Sequence, residues 1–278
     1  MLLDKAKAYY YRKYRVLCDY LPELIALKYH LKIVTQLSLA DEQLFLSEYP
    51  AIKKFAEEVG FYHYYYINRH EYKIVISCER LPKYHINRIG EQQKKLLSIP
   101  DCCFAEFHKV APAHSDDWFR NFRSVNKETN TFSFLLNPFT RASPFHLFKH
   151  RPCSLRCRNT FAYAEKLSRF IDHDNRVLYE EIRMFLKTPV LLLDKYAIGF
   201  EGKAERGKVQ YKRIIYFYPC GVLKDVSPDG LLQGMLQVLS CGDEFLLRHN
   251  ELSVFRNGVF MSRYIPPAGR ILRMIDFT

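Results

Sequence analysis

Long apolar runs are absent from this chain, and their absence argues against membrane-spanning helices. The longest, such as Val190 to Leu193, fall far short of the roughly 20 residues that such a helix needs. No secretory leader is expected either, because Lys5, Lys7, Arg12, Lys13 and Arg15 interrupt the opening segment. A soluble, cytoplasmic protein without a membrane partner is the expectation. The chain also lacks a Gly-x-Gly-x-x-Gly turn, a Gly-Lys-Ser/Thr phosphate loop and a Gly-x-Ser-x-Gly elbow, which disfavours the known nucleotide enzymes. Tryptophan occurs once against 20 tyrosines and 21 phenylalanines, so the core is expected to be rich in single aromatic rings, many with a polar tip near the surface. Acids are in deficit, 30 against 42 bases, for a formal charge of +12. Such a surplus suits RNA, DNA or another anionic partner, and equally suits a plain solvated basic face.

What is present is enough apolar material, 48% of 278 residues, for one large core or two modest ones. Tyr10, Tyr14 and Leu17 fall at helical spacing within an amphipathic segment from Leu3 to Tyr20. Ser38 and Asp41 resemble a capped helix start running toward Pro50, and a second helix from Ala51 is expected to end at Gly60, so the first sixty residues read as helical. From Phe61 the texture becomes aromatic and β-branched on either side of Asn68-Arg69-His70-Glu71, which predicts a β-hairpin. Helical composition returns from Tyr84 to Ile99, and Asp101 is placed to cap a short helix carrying Cys102 and Cys103 in its first turn. A further capped start is expected at Ser115, and residues 126–148 read as loop with short strands. Two helices follow, Ser154 to Ile171 and Asn175 to Leu186, with Asp174 as the cap between them. Beyond Pro189 strands dominate, the last two joined by Asn257-Gly258, a strong hairpin signal, with one helix over Leu231 to Leu239 capped by Ser227 and started by Pro228. The expected fold class is α+β. A helix-rich domain over 1–188 with a β-hairpin, carrying the cysteines, is expected to precede a β-rich domain over 189–278 that forms its own sheet.

Eight cysteines are too few for a disulfide framework in a chain of 278 residues, and they are unevenly spread. Cys18, Cys78, Cys220 and Cys241 stand alone and read as small buried side chains. The others concentrate in Cys102-Cys103 and in His150-Arg151-Pro152-Cys153-Ser154-Leu155-Arg156-Cys157. The proline imposes an extended approach, Cys157 follows Cys153 at a one-turn spacing, and His150 can fold back over both sulfurs. A tetrahedral zinc needs four ligands, and Cys102 or Cys103 is the natural source of the fourth. If both reach the site, four thiolates can instead hold an iron–sulfur cluster with His150 as an outer donor. Lys149, Arg151, Arg156 and Arg158 surround the second segment with no acid among them, a field that favours thiolates and anionic ligands. A metal-free thiol pair and a basic helix face over buried cysteines remain alternatives on chemistry alone.

The segment Leu96-Leu97-Ser98-Ile99-Pro100-Asp101-Cys102-Cys103-Phe104-Ala105-Glu106-Phe107 resembles the Leu-Gly-Tyr-Pro-x-Cys-Cys-x-x-x-Phe signature of an archaeal and bacterial family, a domain of unknown function. Ser98-Ile99 stands where that family has Gly-Tyr. The segment from His150 to Cys157 is similar to the same family's His-x-Pro-Cys-Ser-x-x-Cys motif. The resemblance implies that the two segments belong to one site, and it names no reaction. The resulting expectation is a zinc-binding protein, or one holding an iron–sulfur cluster, with a basic surface for RNA or DNA. An enzyme using the cluster as redox or metal centre, and an interaction protein with a structural zinc, are the alternatives.

Overall fold

Residues 20–39, 41–68, 71–82, 97–109, 125, 127–140, 146–193, 196–218 and 230–278 are described by the structure, a computed structural model. They divide into two compact units. One draws on Met1–Glu106, Ser143–Arg151 and Arg158–Ile182, the other on Phe107–Ala142, Pro152–Cys157 and Arg183–Thr278. The expected helices over residues 3–19, 84–96 and from Ser115, and the caps Ser227 and Pro228, lie outside the described residues. The fold class is α+β: helices and a small sheet in the N-terminal half, a large mixed sheet toward the C-terminus.

In the first unit, helix α1 (Leu21–Lys28) starts with Pro22, and every residue from Leu21 to Leu27 is buried. Helix α2 (Glu42–Val59) begins at Asp41, whose carboxylate accepts the Leu44 N–H at 2.8 Å, and closes on Gly60 at φ 77°. It is one helix, where a break at Pro50 was expected. Pro50 and Leu46 are both exposed, so water can take the carbonyl that a proline leaves unpaired. The expectation of sixty helical residues also fails at strand β1 (Val34–Leu39), which pairs antiparallel with β3 (Glu71–Ser77). Its β-branched start, Val34-Thr35, preceded by Ile33, favours a strand, and β3 offers it an edge. The expected hairpin is present as β2 (Tyr62–Asn68) and β3, giving the order β1-β3-β2. Phe45, Ile52, Phe55 and Ala56 of α2 pack on Leu37, Leu39, Ile74 and Ile76 of the sheet.

Helix α3 (Asp101–Lys109) carries the first cysteine pair, and helix α4 (Arg158–Asp174) follows the second. Asn175, not the expected Asp174, caps helix α5 (Arg176–Leu186) by accepting the Leu178 N–H at 3.0 Å. Asp174 is drawn away to α1, where it accepts from the Tyr29 hydroxyl and from Lys28 Nζ at 2.6 Å. Tyr29 in turn stacks on Phe170 with ring centroids 4.0 Å apart.

The second unit is built on eight strands: β4 (Thr129–Phe132), β5 (Val190–Leu193), β6 (Tyr196–Glu205), β7 (Lys208–Tyr218), β8 (Glu244–Arg248), β9 (Glu251–Arg256), β10 (Val259–Tyr264) and β11 (Leu272–Phe277). Their order is β10-β9-β8-β7-β6-β5-β11-β4, antiparallel except for the β11–β4 pair. The C-terminal strands therefore do not close a sheet by themselves, because the unforeseen β11 has a second edge that β4 occupies from upstream. Three tight hairpins join β6–β7, β8–β9 and β9–β10 through Arg206-Gly207, His249-Asn250 and Asn257-Gly258. All six residues have φ between 50° and 86°, the geometry that matches the strand twist. Leu191 and Leu193 face one core with Phe200, Phe245, Met274 and the residues Leu232, Met235 and Leu239 of helix α6 (Gly230–Ser240). Val190 and Leu192 face another with Leu155, Phe132, Phe139 and Phe277. Burial on both faces explains why β5 is a continuous apolar run.

Candidate metal centre

The first cysteine pair owes its position to Pro100, whose carbonyl accepts the N–H of Cys103 at 3.0 Å and of Phe104 at 2.9 Å. Helix α3 thus opens one residue before Cys102, and the pair occupies its first turn, as its sequence suggested. The second pair reaches its position by a different route from the one expected. Helix α4 begins at Arg158 rather than Ser154. Ser154 competes with the helix for local donors: its hydroxyl accepts the Arg156 N–H at 3.2 Å and its carbonyl the Cys157 N–H at 3.2 Å. A turn therefore separates Cys153 from Cys157, which stands immediately before the helix. Leu155 pins that turn at 1% exposure in an apolar core.

The Sγ atoms of Cys102, Cys103, Cys153 and Cys157 all lie within 4.8 Å of one another, and those of Cys102 and Cys103 are 3.9 Å apart. Cys103 and Cys157 are buried, while Cys102 and Cys153 are partly exposed. This is a group able to hold a metal ion. His150 is not one of the four: its Nε2 lies 2.9 Å from Thr160 Oγ1, which lies 3.2 Å from Cys103 Sγ. Asn159 donates its side-chain N–H to Cys102 Sγ at 3.4 Å. Thr160 and Asn159 were not anticipated from sequence. The one available signal was their place in the turn directly after Cys157.

Among the basic residues of this segment, Arg156 and Arg158 are exposed and Arg151 is partly buried. Arg156 also lies 5.5 Å from the Phe132 ring centroid. Lys149 takes a different course, with its ammonium 3.2 Å from the centroid of the Tyr20 ring. Of the isolated cysteines, Cys78 directs its sulfur at the carbonyls of Lys32 and Ile33, and burial raises its thiol pKa. Cys241 donates to the Gln237 carbonyl at 3.3 Å. Neither is the fully buried side chain that was expected: both are partly exposed, with Cys78 packed against the core of the first unit, while Cys18 and Cys220 lie outside the described residues.

A second polar constellation went unseen in the sequence. Glu23, in the first turn of the buried α1, is 4% exposed and accepts from His146 Nε2 at 2.5 Å. Burial alone would raise its pKa, yet the charge and hydrogen bond of His146, with Lys149 and Lys32 nearby, hold it at about 2. Lys32 is itself buried, and the cost of desolvation lowers its pKa to about 8 despite the pull of Glu23. Tyr163 is raised by burial and by the charge of Glu23.

Comparison with protein-family models, with curated proteins and with solved structures gave no match to this chain. Among the described residues, no helix is long and apolar enough to cross a membrane.

Proposed function

We propose that Cys102, Cys103, Cys153 and Cys157 hold one zinc ion as a closed tetrathiolate centre, and that the protein uses its basic surface to bind RNA or DNA. The observation that carries the first part is the mutual approach of four sulfurs within 4.8 Å. Zinc–sulfur bonds near 2.3 Å place tetrahedral sulfurs about 3.8 Å apart. The Cys102–Cys103 separation of 3.9 Å is close to that edge. In an iron–sulfur cluster the thiolates bind different irons and stand further apart, so the crowding favours a single ion. Four protein ligands leave no open position, which favours a structural over a catalytic centre.

Metal analysis of protein purified without chelator tests this reading. One zinc per chain is expected, and Cys157→Ser should lose it together with stability, because ligation and folding are coupled. Absence of metal in the wild-type protein, or its presence as iron with visible absorption, overturns the zinc assignment.

The nucleic-acid part is supported by the net charge of +12 and by exposed Arg156 and Arg158 with no acid between residues 149 and 158. Binding of single-stranded RNA, followed by fluorescence anisotropy, should weaken steeply with salt. Arg156→Gln with Arg158→Gln should flatten the log–log slope by about 1.4, or ~0.7 for each phosphate that an arginine no longer neutralises. No binding at low salt removes RNA and DNA as partners.

A further inference from the structure

We propose that Thr160 and His150 form a proton-ordered relay behind Cys103: with metal bound, the Thr160 hydroxyl donates to the Cys103 sulfur and accepts from His150 Nε2–H. The inference deepens the reading of the four cysteines as a metal centre and rests on it. Three observations carry it. Thr160 Oγ1 lies 3.2 Å from Cys103 Sγ and 2.9 Å from His150 Nε2. Thr160 and Cys103 are 0% and 1% exposed, so bulk water does not compete for these bonds. Thr160 lies in the first turn of α4, three residues after Cys157, and its branched Cβ restricts the hydroxyl to few directions.

The order of the protons follows from donor and acceptor capacity. A metal-bound thiolate has no hydrogen to give, so at 3.2 Å the hydroxyl must donate to it. A hydroxyl has one hydrogen. Once that hydrogen points at sulfur, only lone pairs remain for His150, and Nε2 must carry a proton. Without metal the direction can reverse, with the Cys103 thiol donating to Oγ1 and the hydroxyl donating to a bare Nε2. Metal binding therefore selects the Nε2–H form of His150, although the ring does not touch the ion. Thr160 is a positioning residue, and with the Asn159 amide on Cys102 it spreads the charge of a centre whose four thiolates exceed a divalent ion by two.

The experiment titrates zinc into the metal-free full chain and its Thr160→Val and Thr160→Ser variants against a competing chelator. The nitrogen-15 shifts of His150, assigned with His150→Gln, are recorded in parallel. Val preserves shape and removes the hydroxyl, and is expected to lower zinc affinity on the order of 10–100-fold, while Ser restores it to within a few-fold. Zinc-loaded wild type should show the Nε2–H signature, lost in Thr160→Val. With cobalt in place of zinc, the sulfur-to-metal charge-transfer band of Thr160→Val should move to lower energy, because the sulfur has lost a donor. A wild-type chain that takes up no zinc refutes the metal centre and the relay with it. A wild type that binds zinc while Thr160→Val matches its affinity and His150 signature overturns the relay alone. A bare Nε2 in loaded wild type overturns it without any variant.

Discussion

Replacing His146 tests whether the buried Glu23 pair is held as an ion pair. The Glu23 pKa falls from an ordinary 4.5 to about 2, despite a burial that acts in the opposite direction. At about 1.4 kcal/mol per pKa unit, a shift of about 2.5 units corresponds to roughly 3 kcal/mol of folding free energy at neutral pH. Removal of one partner from a buried pair costs about 3–5 kcal/mol, which is of the same order, with Lys149 and Lys32 sharing in holding Glu23 down. His146→Ala should therefore lose about 3 kcal/mol at pH 7, and His146→Gln less, because its amide can still donate. Adding Glu23→Gln to His146→Gln should recover part of the loss, since the unpaired carboxylate is gone while the buried Lys32 ammonium loses its counter-charge. The pH dependence has a definite sign. A carboxylate with a depressed pKa stabilises fully above its ordinary value of 4.5 and loses that contribution as pH falls toward about 2. The gap between wild type and His146→Ala should thus be widest above pH 4.5 and narrow below it. Urea unfolding followed by circular dichroism at pH 7, 5 and 3 measures it. A loss below about 1 kcal/mol at pH 7, or a gap that does not narrow in acid, would refute the ion-pair account.

Lys32→Met should raise stability at pH 7 by on the order of 1 kcal/mol, because desolvation is the largest influence on this buried ammonium. Wild type should gain relative to that variant as pH climbs from about 8 toward 10.5, where the folded-state charge is shed first; a flat difference across that window in urea unfolding refutes it. Asn250→Ala should cost about 2–3 kcal/mol, from two lost hydrogen bonds of about 1 kcal/mol each and a left-handed conformation that alanine resists. The bonds run from Nδ2 to the Arg270 carbonyl at 2.9 Å and from the Leu272 N–H to Oδ1 at 2.6 Å, with Asn250 at φ 61°. Asn250→Gly should lose less, and equal losses measured by thermal unfolding would show that the backbone term is absent.

Local chemistry is legible in the sequence, and demands made by distant partners are not. The β2–β3 hairpin, the strands from β5 to β10 and the Asn257-Gly258 turn are set by side-chain texture and turn residues within a few positions. Strand β1 escapes such a reading because six residues with Val34, Leu37 and Leu39 buried carry no decisive period, and only β3 selects the extended form. Pro50 reads as a helix end because proline removes a donor, yet on an exposed face water meets the freed carbonyl. Asp174 reads as a cap because such residues favour caps, but Lys28 and Tyr29, 146 and 145 residues upstream, claim it. Glu23 gives only one hint, a lone acid within an apolar helix, and its partner His146 is 123 residues away.

The cysteine site is legible in its members and not in its construction. The spacing of Cys153 and Cys157 reads as one helical turn, whereas Ser154 diverts the chain into a tighter turn that still leaves both sulfurs on one side. What unites the two pairs is their relation to helix ends. Cys102 and Cys103 lie in the first turn of α3, and Cys157 immediately precedes α4. The aligned peptide dipoles give a helix start a partial positive charge, which lowers the cost of gathering thiolates there. The absence of any acid between residues 149 and 158 extends the same condition to the side chains, because a carboxylate in that segment would raise the cost again. His150 fits this electrostatic scheme better as a donor behind the sulfurs than as a ligand. A neutral imidazole at the ion would displace a thiolate, whereas in the proposed relay it would support one through Thr160.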